Sequence, residues 1–203
     1  MKALLFPGQG VQKVGMIDFL LETNPETKDL FTQTSDVLDF DLFELVKNGP
    51  ENKLNLTEYA QPAILAASLA IAKNKASYFN ASITAGLSLG EYSALVFAEC
   101  IEFKEAIRLV NARGKLMQNA VPEGTAGMLV ILNMPLPDVR ETIIKIKNSG
   151  EVIDFSTDNA EGVSVLAGSN SAIDATIKYI DEGNFKRVKT QLIKMSVPSH
   201  CSL

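Results

Sequence analysis

The strongest constraint on the fold lies at 86–90, where Gly86-x-Ser88-x-Gly90 separates a β-rich run, Ser82-Ile83-Thr84-Ala85, from an apolar-periodic stretch reaching about Ala98. The period changes from that of a strand to that of a helix across one glycine-bracketed serine. A chain can make that change only if the strand and helix backbones pass close together at a sharp turn. The turn lifts the serine hydroxyl outward and aims the next backbone N–H at a developing oxyanion. This is the layout of a nucleophile elbow; a glycine turn with an ordinary serine is the other reading of the same residues. Either way the chain is committed to an α/β architecture.

A serine is a weak nucleophile and needs a base. The chain has a single histidine, His200, so a catalytic Ser88 would take His200 as its base. Cys201 follows it directly, but neighbours in extended chain point opposite ways, which disfavours a Cys201–His200 dyad. The two cysteines, Cys100 and Cys201, stand in no metal or redox spacing. With one histidine, that excludes a His/Cys zinc site, so no metal is expected. Free thiols suit a reducing cytoplasm.

The remaining elements follow from pattern. Residues 2–6 read as a buried strand that Pro7-Gly8-Gln9-Gly10 turns into a loop. Residues 26–47 have helical spacing, ended by Gly49-Pro50. A long apolar helix covers 57–79, with Pro62 tolerable only near its start. Another helix spans 103–120. Beyond Gly124 the texture changes: strand 127–133, helix 136–148, strand 151–157, strand 162–167, a helix capped at Ser169/Asn170 running to about Glu182, and strand 186–196. The order βαββαβ within about 70 residues is ferredoxin-like. The expected organisation is an α/β-hydrolase-like large domain at 1–125 carrying the elbow, a ferredoxin-like small domain inserted at 126–196, and a return to the large domain at 197–203.

Of the 203 residues 46% are apolar and 21% charged, which fits a globular chain with a core. No apolar run approaches the ~20 residues of a membrane span, and the apolar start cut short by Pro7 is too brief for a signal peptide. The net charge of −5 argues against nucleic-acid binding through bulk charge.

On a helical wheel of 103–120, Leu116, Leu109, Ala106, Val110, Phe103 and Ile107 fall in one half, with Lys104, Arg108, Lys115 and Asn111 opposite. Arg113 falls inside the apolar half. A guanidinium there needs an internal carboxylate or an anionic substrate in a cleft, because an unpaired buried charge costs several kcal/mol. Gly114 beside it implies close packing, since glycine in a helix interior costs about 1 kcal/mol relative to alanine.

Five motifs now stand in order along the chain: LFPGQG at 5–10, TEYAQPAIL at 57–65, AGLSLGEYSAL at 85–95, ARGKLMQ at 112–118 and VPSHCSL at 197–203. Together they resemble the malonyl-CoA:acyl-carrier-protein transacylase family of acyltransferases. The resemblance implies a malonyl transfer from coenzyme A to the phosphopantetheine thiol of acyl carrier protein, in fatty-acid or polyketide synthesis, through an O-acyl-serine. It implies Ser88 as nucleophile, His200 as base, the backbone N–H groups of Gln9 and Leu89 as oxyanion hole, Arg113 as clamp on the malonyl carboxylate, and Gln61 beside the site. No permanently bound cofactor is implied; the coenzyme A thioester is a substrate. Acyl carrier protein is acidic, and Lys186, Arg187, Lys189 and Lys194 are candidates to meet it.

Two departures qualify the resemblance. The family has histidine before the nucleophile, where this chain has Leu87, so a differently tuned site is expected. The family also continues beyond VPSHCSL, with a strand, helices and a glutamine carbonyl that orients the catalytic histidine, whereas this sequence ends three residues after His200. A fragment is therefore expected, with a complementary C-terminal chain or self-association. Two other functions stay open. One is a serine hydrolase or thioesterase, with Asp154, Asp158 or Asp174 as acidic partner. The other is an inactive fragment that only binds.

Overall fold

The computed structural model describes residues 1–79, 81–193, 195 and 197–203. Contacts divide the chain into two compact units, Met1–Leu116 and Met117–Leu203.

The first unit is built around one helix. Its elements are β1 (Ala3–Phe6), α1 (Asp18–Leu21), α2 (Glu26–Val37), α3 (Leu42–Asn48), α4 (Glu51–Leu54), α5 (Thr57–Phe79), β2 (Ile83–Gly86), α6 (Leu89–Phe97) and all but the last two residues of α7 (Phe103–Gln118). In α5, Ala60, Ala63, Ile64, Leu65, Ala66 and Leu69 are all buried. A helix apolar on every side must sit inside its unit. The others wrap it, and Phe31, Leu42, Leu45, Leu54, Leu89 and Ile107 complete one core. The helical spacing read across 26–47 resolves into two helices, because Asp41 caps α3 by accepting a bond from Glu44 N at 2.9 Å.

Strands β1 and β2 pair in parallel, Ala3 to Ile83 through Phe6 to Gly86. Phe6 and Leu4 pack inward with Ala72, Ala94 and Phe97. Leu5 and Ile83 alternate outward and are 72% and 49% exposed.

The second unit comprises β3 (Ala126–Leu132), α8 (Leu136–Asn148), β4 (Ile153–Ala160), β5 (Val163–Ser169), α9 (Asn170–Glu182) and β6 (Lys189–Leu192). They form a four-stranded antiparallel sheet in the order β4-β5-β3-β6. Leu129, Ile131, Ile153 and Leu166 face Ile143, Ile146, Ile173 and Ile180 of the two helices. Ser169 caps α9 by accepting from Ala172 N at 3.2 Å. The last strand is shorter than the 186–196 expected, four residues among those described; Lys194 lies outside the described residues.

Segment 197–203 is grouped by its contacts with the second unit. Strand alternation turns Met128, Val165 and Ala167 to the sheet face away from the helices, and Cys201 packs against them. Ser156 Oγ donates to Ser199 O at 3.0 Å, and Ser202 is bonded to Asp154. Polar tethers on β4 and contact with this apolar face hold the segment there.

Among the described residues no helix is long and apolar enough to cross a membrane.

Candidate active site

The turn at 86–90 is locked by backbone contact. A Cβ on Gly86 would collide with the carbonyl of Gly90, and a Cβ on Gly90 with that of Phe6. Only glycine lets the end of β1, the end of β2 and the start of α6 interlock. Between them Ser88 takes φ 53° and ψ −107°, in the left-handed half of the map that a side chain enters at a strain cost. Leu89, fully buried, opens α6. First-turn N–H groups of a helix have no intrahelical acceptor, so this end suits an anion.

Arg113 reaches the serine from α7. Its Nη2 donates to Ser88 Oγ at 2.9 Å, and its Nη1 donates to Oε1 of the fully buried Gln61 at 2.8 Å. The placement of α7 traces to α5. Pro62 has no N–H to give the carbonyl of Glu58 one turn earlier. Asn111 Nδ2 of α7 donates to that carbonyl at 3.0 Å. Directly beside it, a Cβ on Gly114 would lie 2.6 Å from Glu58 Cα. A proline that frees an acceptor, an asparagine that takes it and a glycine that permits contact bring Arg113 to Gln61 and Ser88.

The same turn of α5 holds the Pro7–Gly10 loop. Gln9 Nε2 donates to Thr57 Oγ1 at 3.2 Å, and Gln9 Oε1 is buried with no hydrogen-bond partner among the described residues. Gln12 braces the loop, donating to Asn55 Oδ1 at 2.9 Å and accepting from Gly10 N at 2.8 Å.

His200 lies in the second unit. It is exposed, with φ 56°, and with Arg140, Ile144, Lys147, Asp154 and Phe155 it borders an open groove of about 670 Å³. Asp154 donates nothing and accepts from three groups: Lys147 Nζ at 2.7 Å, Ser202 N at 2.7 Å and Ser202 Oγ at 2.5 Å. These hydrogen bonds, that of Lys147 foremost, lower its pKa to about 2. Asp158 and Asp174 are exposed. Among the described residues no group of three metal-ligating side chains is gathered.

A guanidinium cannot accept a proton. Arg113 therefore puts a fixed positive charge at a serine whose backbone is bent to present it. Such a charge can hold an anion beside the serine. The chain matches the acyl transferase domain family over residues 3–201.

The chain belongs to that family.

A relative of this acyl transferase domain is the malonyl CoA-acyl carrier protein transacylase of Haemophilus influenzae. It is 44% identical over 207 residues that span 99% of this chain and 64% of the relative. A solved malonyl CoA-acyl carrier protein transacylase of Clostridium perfringens is 37% identical with a TM-score of 0.85, covering 98% of this chain and 62% of the other. A malonyl-transacylase solved with a type II polyketide acyl-carrier protein is 42% identical with a TM-score of 0.90, covering 98% and 64%. The acyl transferase domain thus spans about 64% of the length of that curated relative.

Of the residues singled out in the sequence, Ser88, Arg113 and Gln61 are brought into one hydrogen-bonded set, and Gln9 is tied to the same turn of α5. The wheel of α7 needs correction. Leu109 and Leu116 are 42% and 74% exposed, whereas Asn111, assigned to the outer side, is buried. Docking through Gly114 and Asn111 rotates the inward stripe and leaves Arg113 half-buried at its edge. Arg113 pairs with neutral groups, Gln61 and Ser88, in the hydrogen bonds described. Thr57 and Asn111 escaped the sequence reading; the missing N–H of Pro62 was the signal for Asn111.

Proposed function

We propose that this acyl transferase domain carries the acylation machinery of a malonyl-CoA:acyl-carrier-protein transacylase, and that the whole protein moves malonyl from coenzyme A to a carrier thiol. One observation carries the reading: Arg113 grips the buried Gln61 with one nitrogen and the elbow hydroxyl of Ser88 with the other. A malonyl group esterified to Ser88 ends in a carboxylate a few bonds from Oγ. Arg113 then turns from the hydroxyl to that carboxylate, a charge-assisted contact with a planar donor pair that lysine cannot copy.

The steps are those of two-stage covalent catalysis. Ser88 Oγ attacks the thioester carbonyl as His200 takes its proton. The tetrahedral oxyanion is met by the N–H groups of Gln9 and Leu89. The C–S bond breaks, and the imidazolium returns the proton to the coenzyme A sulfur. The carrier's thiol then gives its proton to His200 and attacks the ester, and Ser88 recovers its hydrogen. No metal or permanently bound cofactor enters this scheme.

The strand order β4-β5-β3-β6 supports a ferredoxin-like second unit, and the parallel β1/β2 pair leading into the elbow supports an α/β-hydrolase-like first one. Exposed Lys186, Arg187 and Lys189 suit an acidic carrier protein. Two free thiols suit the cytoplasm. The outer face bearing Leu5 and Ile83 takes a complementary segment equivalent to the additional length of the relatives, since a parallel sheet is normally covered on both faces.

Incubation with malonyl-CoA, with the complementary segment supplied, should add one malonyl mass to the protein, mapped by peptide sequencing to Ser88. Ser88→Ala should abolish it. An adduct persisting in that variant, for example on Cys201, would overturn the reading.

A further inference from the structure

His200 sits at φ 56°, where a non-glycine residue stays only if its surroundings hold it. Two tethers are among those surroundings. On one side Ser156 Oγ donates to Ser199 O at 3.0 Å and Ser199 Oγ donates to Met128 Sδ at 3.3 Å. On the other side Asp154 accepts from both the backbone N and the hydroxyl of Ser202. The second tether is the stronger, because its acceptor is a carboxylate and charge-assisted bonds are about twice as strong as neutral ones. The carboxylate is itself fixed, its other oxygen bonded to Lys147 at the C-terminal turn of α8.

We infer that Asp154 is a positioning residue for His200: it clamps Ser202, and through the chain it holds the histidine in its left-handed backbone conformation. The inference rests on the reading of His200 as the base. It differs from a triad acid, because Oδ1 is engaged by Lys147 and Oδ2 by Ser202. Asp154 therefore acts on the histidine through the backbone. The clamp is local to the second unit, joining α8, β4 and segment 199–202. A base must come within hydrogen-bond reach of its serine, and a misplacement of about 1 Å lowers rate by about a hundredfold. Fixing the backbone on both sides of His200 is how this chain limits such misplacement.

The chain's single histidine makes the test direct. With the complementary segment supplied, imidazole NMR signals, amide exchange at Ser202 and the rate of Ser88 acylation by malonyl-CoA are measured in the wild type and in Asp154→Ala, Asp154→Asn and Ser202→Ala. In Asp154→Ala the Ser202 amide should lose protection and the imidazole signals should move to free-peptide positions, while β3 and β5 amides keep their protection. Acylation should slow by about tenfold to a hundredfold, in kcat with little change in KM. Asp154→Asn keeps an acceptor for the Ser202 N–H and should recover part of each effect. If Asp154→Ala does not fold, Ser202→Ala, which removes one bond of the clamp, decides by the same signals. Unchanged imidazole signals in a folded variant whose Ser202 amide has lost protection would overturn the inference. Absence of acylation in the complemented wild type would count against the proposed function, while the imidazole response still decides whether Asp154 positions His200.

Discussion

At position 114 a hydrogen in place of a methyl group decides how near α7 comes to α5. In an isolated helix Gly→Ala would stabilise by about 1 kcal/mol. Here the added Cβ meets backbone atoms of Glu58 and Thr57 at 2.6–2.9 Å, and backbone cannot swing aside. Overpacking of that kind costs about 1–3 kcal/mol. Gly114→Ala is expected to lower stability in urea denaturation and, by pushing Arg113 away from Gln61, to slow Ser88 acylation. A more stable variant of unchanged activity would show that the contact is not tight. Ser88 presents the opposite case. Its strained backbone is held by glycines on either side, so the cost falls on the residue we propose as nucleophile.

At the scale of elements, the α5–α7 junction exchanges a backbone hydrogen bond for a side-chain one. Asn111→Ala should leave the Glu58 carbonyl without its donor and cost about 1–3 kcal/mol. The same substitution should cost less when Pro62→Ala restores a backbone N–H near that carbonyl. A double-mutant cycle by urea denaturation should show coupling of about 0.5 kcal/mol or more, and additive losses would separate the two residues. In the second unit the clamp at Asp154 titrates. Its carboxyl is held at about 2 against an ordinary 3.8, by Lys147 and Ser202. A depressed carboxyl stabilises the fold above its unfolded value, and that contribution is lost as pH falls from about 4 through about 2. Acid unfolding monitored by circular dichroism should therefore be less steep in that window for Asp154→Asn than for the wild type.

Much at this scale was legible in the sequence. The spans Thr57–Phe79 and Leu136–Asn148 and the Ser169 cap follow from period and capping chemistry alone. The wheel of α7 failed by a rotation, because hydropathy ranks side chains while docking here was decided by a glycine and an asparagine. Ser88 and Arg113, the residues of the proposed site, lay within the five motifs. Their mutual contact was not legible, because it depends on an acceptor that Pro62 frees on a different helix. The tethers of 197–203, Asp154 and Ser156, were not legible, since they carry no local pattern.

At the scale of the molecule, two strands in parallel expose Leu5 and Ile83 on one face, and α7 exposes Leu109 and Leu116. Exposed apolar patches beyond a few hundred Å² recruit partners. In size-exclusion chromatography with light scattering at micromolar concentration, the chain is expected above its single-chain mass of 22.0 kDa. Adding a complementary segment from a longer relative should shift it to a one-to-one complex; a monodisperse monomer that ignores the segment would contradict this. The central claim, that Arg113 selects an acyl group bearing a carboxylate, is tested most directly by competition. The complemented protein and its Arg113→Ala variant are given equal malonyl-CoA and acetyl-CoA, and the acyl mass on Ser88 is read by mass spectrometry. Loss of a charge-assisted contact made to malonyl alone should lower the malonyl-to-acetyl ratio by about tenfold or more, with acetyl loading spared. Equal losses of both adducts would contradict the clamp and leave Arg113 as a structural support of the elbow.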